Sequence, residues 1–180
     1  MSTRAYDDPV LERKRLAALA EIRQYGDPVL RTPASPIEVF DDALRAEAER
    51  MVGIMNDGRG VGLAANQVGR LHRLLVMQPD DEEPAEVLCN PVISWRADEE
   101  EVGPEGCLSI GEISVEVARA VAIRVDAVDV DGQPFTREYE GLAARVVQHE
   151  VDHLDGMLIL DRTTPEQRRE ALRELRTGRA

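Results

Sequence analysis

Cysteine is scarce in this 180-residue chain, which has two, Cys89 and Cys107. That excludes a disulfide-stapled secreted scaffold, and the lack of any CxxC pair speaks against a structural zinc site. Histidine is nearly as rare: His72, His149 and His153 are all there are. No apolar run approaches the ~18 residues a membrane span needs. The opening MSTRAYDDPVLERKRLAALAEIRQ is charged throughout and lacks the apolar stretch of a secretory signal. Positive charge is in deficit: 22 Lys and Arg stand against 35 Asp and Glu, a net −13. A surface of that sign does not grip DNA or anionic lipid. The expectation is a soluble, acidic, cytoplasmic protein with no membrane or DNA partner, and the 43% apolar content suffices for one core.

The chain reads as an N-terminal extension over residues 1–21 and a single catalytic domain over 22–180, without internal repeats. The extension suits a short helix or a loose segment equally. Asp41 or Asp42 can cap a helix with apolar positions Leu44, Ala48, Met51 and Met55, stopping at Asn56-Asp57-Gly58. A Gly-rich stretch, 60–69, follows. Leu74 to Val76 and Val87 to Ser94 read as strands, with an acidic exposed loop at 79–84 between them. From Ile113 to Val130 the apolar residues alternate, predicting strands that end at the turn Asp131-Gly132, with 135–139 as the returning arm. After Gly141 the period becomes helical through Val146, Val147 and Leu154. Thr164-Pro165-Glu166-Gln167 then opens a last helix with a capping box closed by Gln167. The predicted class is α+β: mostly antiparallel strands packed around a central helix, with a C-terminal helix.

That central helix carries His149-Glu150-Val151-Asp152-His153, an HExxH unit. Residues four apart share a helix face, so two imidazoles can hold one divalent ion while Glu150 moves protons on water beside it. A shuffled chain of this composition carries the pattern in roughly 0.5% of cases, so accident is a poor explanation. A third ligand is needed. No histidine follows His153, which leaves carboxylates such as Asp155, Asp161, Glu166 and Glu170, or Cys107 in Glu105-Gly106-Cys107-Leu108-Ser109. Taken alone, an intracellular cysteine is more often a small buried hydrophobe than a ligand.

Three stretches together, Gly60-Val61-Gly62-Leu63-Ala64-Ala65-Asn66-Gln67, Glu105–Ser109 and Gln148–Gly156, resemble the peptide deformylases in content and order, as does Asp27-Pro28-Val29-Leu30-Arg31. The resemblance spans about residues 22–175. It implies a hydrolase that removes the formyl group from N-formylmethionyl nascent polypeptides and releases formate. By motif position, Cys107, His149 and His153 would bind the metal and Glu150 would be the general acid/base. Gln67 and the backbone N–H of Leu108 would hold the oxyanion. Gly60 and Gly62 would let the backbone approach the substrate, and Val61, Leu142 and Val146 would line the methionine pocket. The family's usual ion is Fe(II), with zinc, nickel or cobalt able to replace it.

The sequence departs from many members at Gly111, where they carry proline, and at Ser114, near their basic residue; the next Arg is Arg119. Residues 165–180 hold five Arg and three Glu, so the last helix reads either as a ribosome-docking element or as a solvated helix with favourably spaced charges. Three rivals remain open: an HExxH metallopeptidase with a carboxylate third ligand, a His₂Cys copper site with Met157 as axial ligand, and a metal-binding deformylase-like paralogue with altered substrate.

Overall fold

A computed structural model describes residues 8–177. The predicted extension therefore falls partly, over 1–7, outside the described residues, as do the last three residues of the predicted domain. Residues Pro9–Glu21 form α1, capped by the Asp8 carboxylate accepting from the Val10 N–H at 2.8 Å. Of the two expectations for this segment, the helix is the one found. α2 (Asp42–Asp57) starts at Asp41, whose side chain accepts from the Leu44 N–H, and buries Leu44, Ala48, Met51, Ile54 and Met55. The apolar spacing read from the sequence is its inward face.

Seven strands follow. β1 (Gly62–Ala64), β2 (Leu74–Met77), β3 (Glu86–Arg96), β6 (Ala122–Val128) and β7 (Pro134–Glu140) form a five-stranded sheet in the order β1-β2-β3-β6-β7. β4 (Glu100–Gly106) and β5 (Ser114–Ala120) form a separate two-stranded sheet. Every pairing between these strands is antiparallel. The alternation between Ile113 and Val130 therefore belongs to two strands in different sheets, which part at Val121. Val115 and Val117 face one core and Ile123 and Val125 another. β1 and β4 were not legible as strands. β1 is three residues inside a Gly/Ala stretch, and β4 (EEVGPEG) is mostly polar, held by its full register with β5 rather than by apolar alternation.

α3 (Gly141–Leu154) lies across the large sheet, burying Ala144, Val147, Val151 and Leu154 against Leu75, Leu88, Ile123 and Val125. Each buried Val or Leu among these contributes about 1.5–3 kcal/mol, so α3 is fixed in place along its length. α4 (Pro165–Thr177) closes the chain, its Ala171 packed with Leu158, Ile159 and Leu160 beneath β5. The Gln167 N–H donates to the Thr164 hydroxyl at 3.3 Å, as a cap requires. Gln167 itself corrects the capping-box expectation: its Oε1 accepts from the Glu116 N–H of β5 at 2.7 Å and from the Thr163 hydroxyl, tying α4 to the small sheet. No helix among the described residues is long and apolar enough to cross a membrane.

Candidate metal centre and cleft

β4 ends at Gly106, and the chain then turns so that Cys107 comes to lie over α3. Cys107 Sγ stands 3.3 Å from His153 Nε2, and His153 Nε2 stands 3.1 Å from His149 Nε2. Among the described residues these three are the group whose ligand atoms converge, all within 4.8 Å of one another, and no fourth His, Cys, Asp or Glu joins them. Two nitrogens bound to one tetrahedral ion at 2.0–2.1 Å would sit about 3.4 Å apart, so the spacing suits a single ion with a vertex left over. The carboxylates considered as third ligands are engaged elsewhere: Asp155 with Arg73, Asp161 with Arg31, Glu166 with Arg169 and Glu170 with Arg173. Met157 Sδ lies 3.6 Å from Arg162 Nη2.

The donors are oriented from behind. Glu105 Oε2 is 3.0 Å from His149 Nδ1, which leaves Nε2 to face the centre. Burial alone would raise the Glu105 carboxyl, but the Arg119 and His149 hydrogen bonds outweigh it and hold the pKa down at about 2. Asn66 donates from Nδ2 to the His153 backbone carbonyl. Gln67 accepts the Ala64 N–H on Oε1 at 2.9 Å. This turns its amide nitrogen toward Ser109 Oγ (3.1 Å) and Cys107 Sγ (3.6 Å). Cys89, the other thiol, is buried on β3 and pushed up to about 12 by desolvation; both cysteines are free.

These groups open onto a cleft of about 360 Å³. Each residue expected at the substrate site lines it: Gly60, Val61, Gly62, Gln67, Leu108, Leu142, Val146 and Glu150. Val61 and Leu142 are 43% and 54% exposed, so they are cleft walls and not core packing. Gly62 is needed for close approach: a Cβ there would stand 2.8 Å from Val146 Cγ1 and nearer still to Glu150 Oε1. Glu150 is buried, its Oε2 lacks a hydrogen-bond partner, and desolvation pushes its pKa up to about 7 although His149 pulls it down. Gly111 lines the cleft and Ser114 opens β5. Arg119 does not face the cleft. It is 5% exposed and grips both Glu105 oxygens at 2.9 Å. The guanidiniums that line the cleft are Arg59 and Arg145. Motif reading passed over Ser109, Glu105 and Asn66 as actors although all three lie inside the quoted stretches. Asp152 too lies inside the quoted Gln148–Gly156 stretch, whereas Arg119 could not be placed by any local signal, since its partners Glu105 and Asp152 are 14 and 33 residues away in sequence.

A cysteine sulfur and two imidazoles at one point, with a buried glutamate beside them in an open cleft on an α+β frame, define a metal-dependent hydrolase of the mononuclear kind. The sequence model of the polypeptide deformylases matches residues 19–169, and the chain belongs to that family. Peptide deformylase 1 of Corynebacterium glutamicum is 41% identical over 163 residues, covering 89% of this chain and 96% of that one. The peptide deformylase of Thermotoga sp. strain RQ2 is 48% identical over 147 residues, or 82% and 88% of the two chains. Among solved structures, Thermotoga maritima peptide deformylase superposes with a TM-score of 0.77 at 46% identity, covering 80% and 97%. Arabidopsis thaliana peptide deformylase 1B in complex with an inhibitor gives 0.83 at 37% identity, covering 87% and 88%. The chain is accordingly an enzyme that removes the N-terminal formyl group from nascent peptides and works with a single metal ion.

Proposed function

We propose that Cys107, His149 and His153 hold the ion, that Glu150 is the general acid/base, and that Gln67 Nε2 and the Leu108 N–H receive the oxyanion when the formyl group of an N-formylmethionyl peptide is attacked. The observation that carries this reading is the convergence of a sulfur and two ring nitrogens beside a partnerless, buried Glu150 oxygen. The bound ion supplies Lewis acidity and makes water a nucleophile at neutral pH.

Glu150, raised toward neutrality by burial, is matched to take a proton from the attacking water and return it to the departing amine. Gln67 is pre-aimed by the Ala64 N–H, so its amide hydrogens need no reorganisation as negative charge grows on the carbonyl oxygen. Val61, Leu142 and Val146 form the apolar wall suited to a methionine side chain, and the Gly60–Gly62 backbone edge suits an extended substrate lying alongside.

Iron(II) is the proposed native ion; the same donors accept zinc, nickel or cobalt. We place the catalytic unit at residues 22–180, with 1–21 as an extension, and the enzyme in the cytoplasm. For α4 we read a solvated helix and not a ribosome-docking one, because Arg169 and Arg173 pair with Glu166 and Glu170 three residues earlier. Cosedimentation with ribosomes that is lost in an R169E/R173E variant would reverse that choice. The deciding experiment is anaerobic purification, elemental analysis and formate release from a formyl-Met tripeptide, with Glu150→Gln in parallel. The variant should keep one ion per chain and lose about 10²–10⁴ in kcat. Loss of the ion along with turnover would mean that Glu150 has been given the wrong role.

A further inference from the structure

Two carboxylates, Glu105 and Asp152, are buried behind the ligands, and three guanidinium groups close on them. Going outward from the His149 ring, Nδ1 meets Glu105 Oε2, and Arg119 forks onto both Glu105 oxygens. Arg119 Nη1 reaches Asp152 Oδ2 at 2.5 Å, and Arg162 holds Asp152 through Nε to Oδ2 (3.0 Å) and Nη2 to Oδ1 (2.6 Å). Arg145 adds a bond to Glu105 Oε1 at 2.9 Å but is itself tied to the Glu101 and Val117 carbonyls. Within this row Arg162 alone reaches well into solvent: its side chain is 42% exposed, against 6% for Arg119 and 10% for Asp152. Arg162 belongs to neither the cleft nor α3, since it follows the short turn Ile159–Asp161 and precedes α4.

We propose that Arg162 is a positioning residue for His149, acting through Asp152, Arg119 and Glu105 in turn. The proposal rests on the reading of His149 as a metal ligand. Its physical basis is the division of charge at Asp152. Arg162 covers Oδ1 and half of Oδ2, which leaves Arg119 able to give Nε and Nη2 to Glu105 while offering only Nη1 to Asp152. Without Arg162, a buried carboxylate has one guanidinium left, and that guanidinium is drawn toward it. The fork on Glu105 then loosens, and with it the acceptor that sets the tautomer and ring angle of His149. A role limited to anchoring the C-terminal segment on α3 would lower stability and leave His149 untouched.

The test uses protein loaded with Co(II), comparing Arg162→Ala, Arg162→Lys and Arg168→Ala. The last removes a positive charge near Asp161, 3.7 Å away, without touching Asp152. Four readouts are taken: metal transfer to excess chelator, the visible Co(II) spectrum, the melting temperature and formate release. Removing a ligand's direct partner costs 10–100-fold in affinity; acting through three intermediate residues, Arg162→Ala should release metal only about fivefold faster and shift the Co(II) bands. Arg168→Ala should match the parent.

Lysine cannot fork onto both Asp152 oxygens, so Arg162→Lys should fall between parent and Ala. Added guanidinium ion in the tens of millimolar should slow release from the Ala variant only. A lowered melting temperature with unchanged spectrum and release rate would overturn the proposal. If Arg162→Ala does not fold, a parent-like release rate in Arg162→Lys would overturn it as well. A parent chain that takes up no Co(II), or whose spectrum survives Cys107→Ser, would instead sink the metal-centre reading.

Discussion

At the scale of single residues, function turns on how neighbours restrict atoms that would otherwise be ambiguous. His149 offers two ring nitrogens; the Glu105 carboxylate behind Nδ1 decides which one looks into the cleft. Gln67 would be an unremarkable polar residue in a Gly/Ala loop if the Ala64 N–H did not fix its amide. Cys107 Sγ lies close to both His153 and the Gln67 amide. Replacing the soft sulfur with a hard oxygen in Cys107→Ser should therefore weaken metal retention by about tenfold or more and change the order of metal preference. Competitive loading with Fe(II), Zn(II) and Ni(II), read by elemental analysis, checks this. Unchanged affinity for all three would remove Cys107 from the ligand set.

At the scale of elements, the cleft is the gap between three pieces that meet nowhere in sequence: the β1 edge, the turn after β4, and α3. Their spacing is set by Gly62, beside which Val146 and Glu150 stand too close for any side chain. Gly62→Val should push Glu150 and Val146 aside and lower kcat/KM by about 10²-fold while metal content stays near one per chain, because the nearest atoms a side chain there meets belong to Val146 and Glu150 and not to Cys107, His149 or His153. Steady-state kinetics alongside elemental analysis tests this, and parent-like kcat/KM would show that the β1 edge is not a wall of the reacting site. α3 itself was readable from its 3.6-residue period. β4 was not, because a polar strand has no apolar alternation to announce it.

At the scale of the whole molecule, the acid response should carry the mark of Glu105. Its folded pKa of about 2 lies below the ordinary 4.5, so its contribution is fully present above pH 4.5 and fades as the pH falls toward 2. A shift of that size corresponds to on the order of 3 kcal/mol. Urea titrations of parent and Glu105→Gln at pH 5.5, 4.5, 3.5 and 2.5 should show the parent losing more stability over this range than the variant. Parallel losses would mean that the ion pair with Arg119 contributes nothing to the acid limb. Glu105 and Arg119 are 14 residues apart on the paired strands β4 and β5, and Asp152 comes from α3. The network thus ties the small sheet to the helix that carries the histidines.

The local pattern of the chain was enough to set the helical face of α2, the placing of both histidines one turn apart on α3, the antiparallel strands and the three stretches that mark the family. Each of these is encoded over a few neighbouring residues, where periodicity and turn chemistry act. Bringing Cys107 Sγ beside the two imidazoles while Asp155, Asp161, Glu166 and Glu170 pair with arginines depended on the folded chain, as did sending Arg119 inward and Gln167 onto β5. Those outcomes depend on which distant groups burial brings within reach of one another, and a buried charge takes whatever partner the packing leaves beside it.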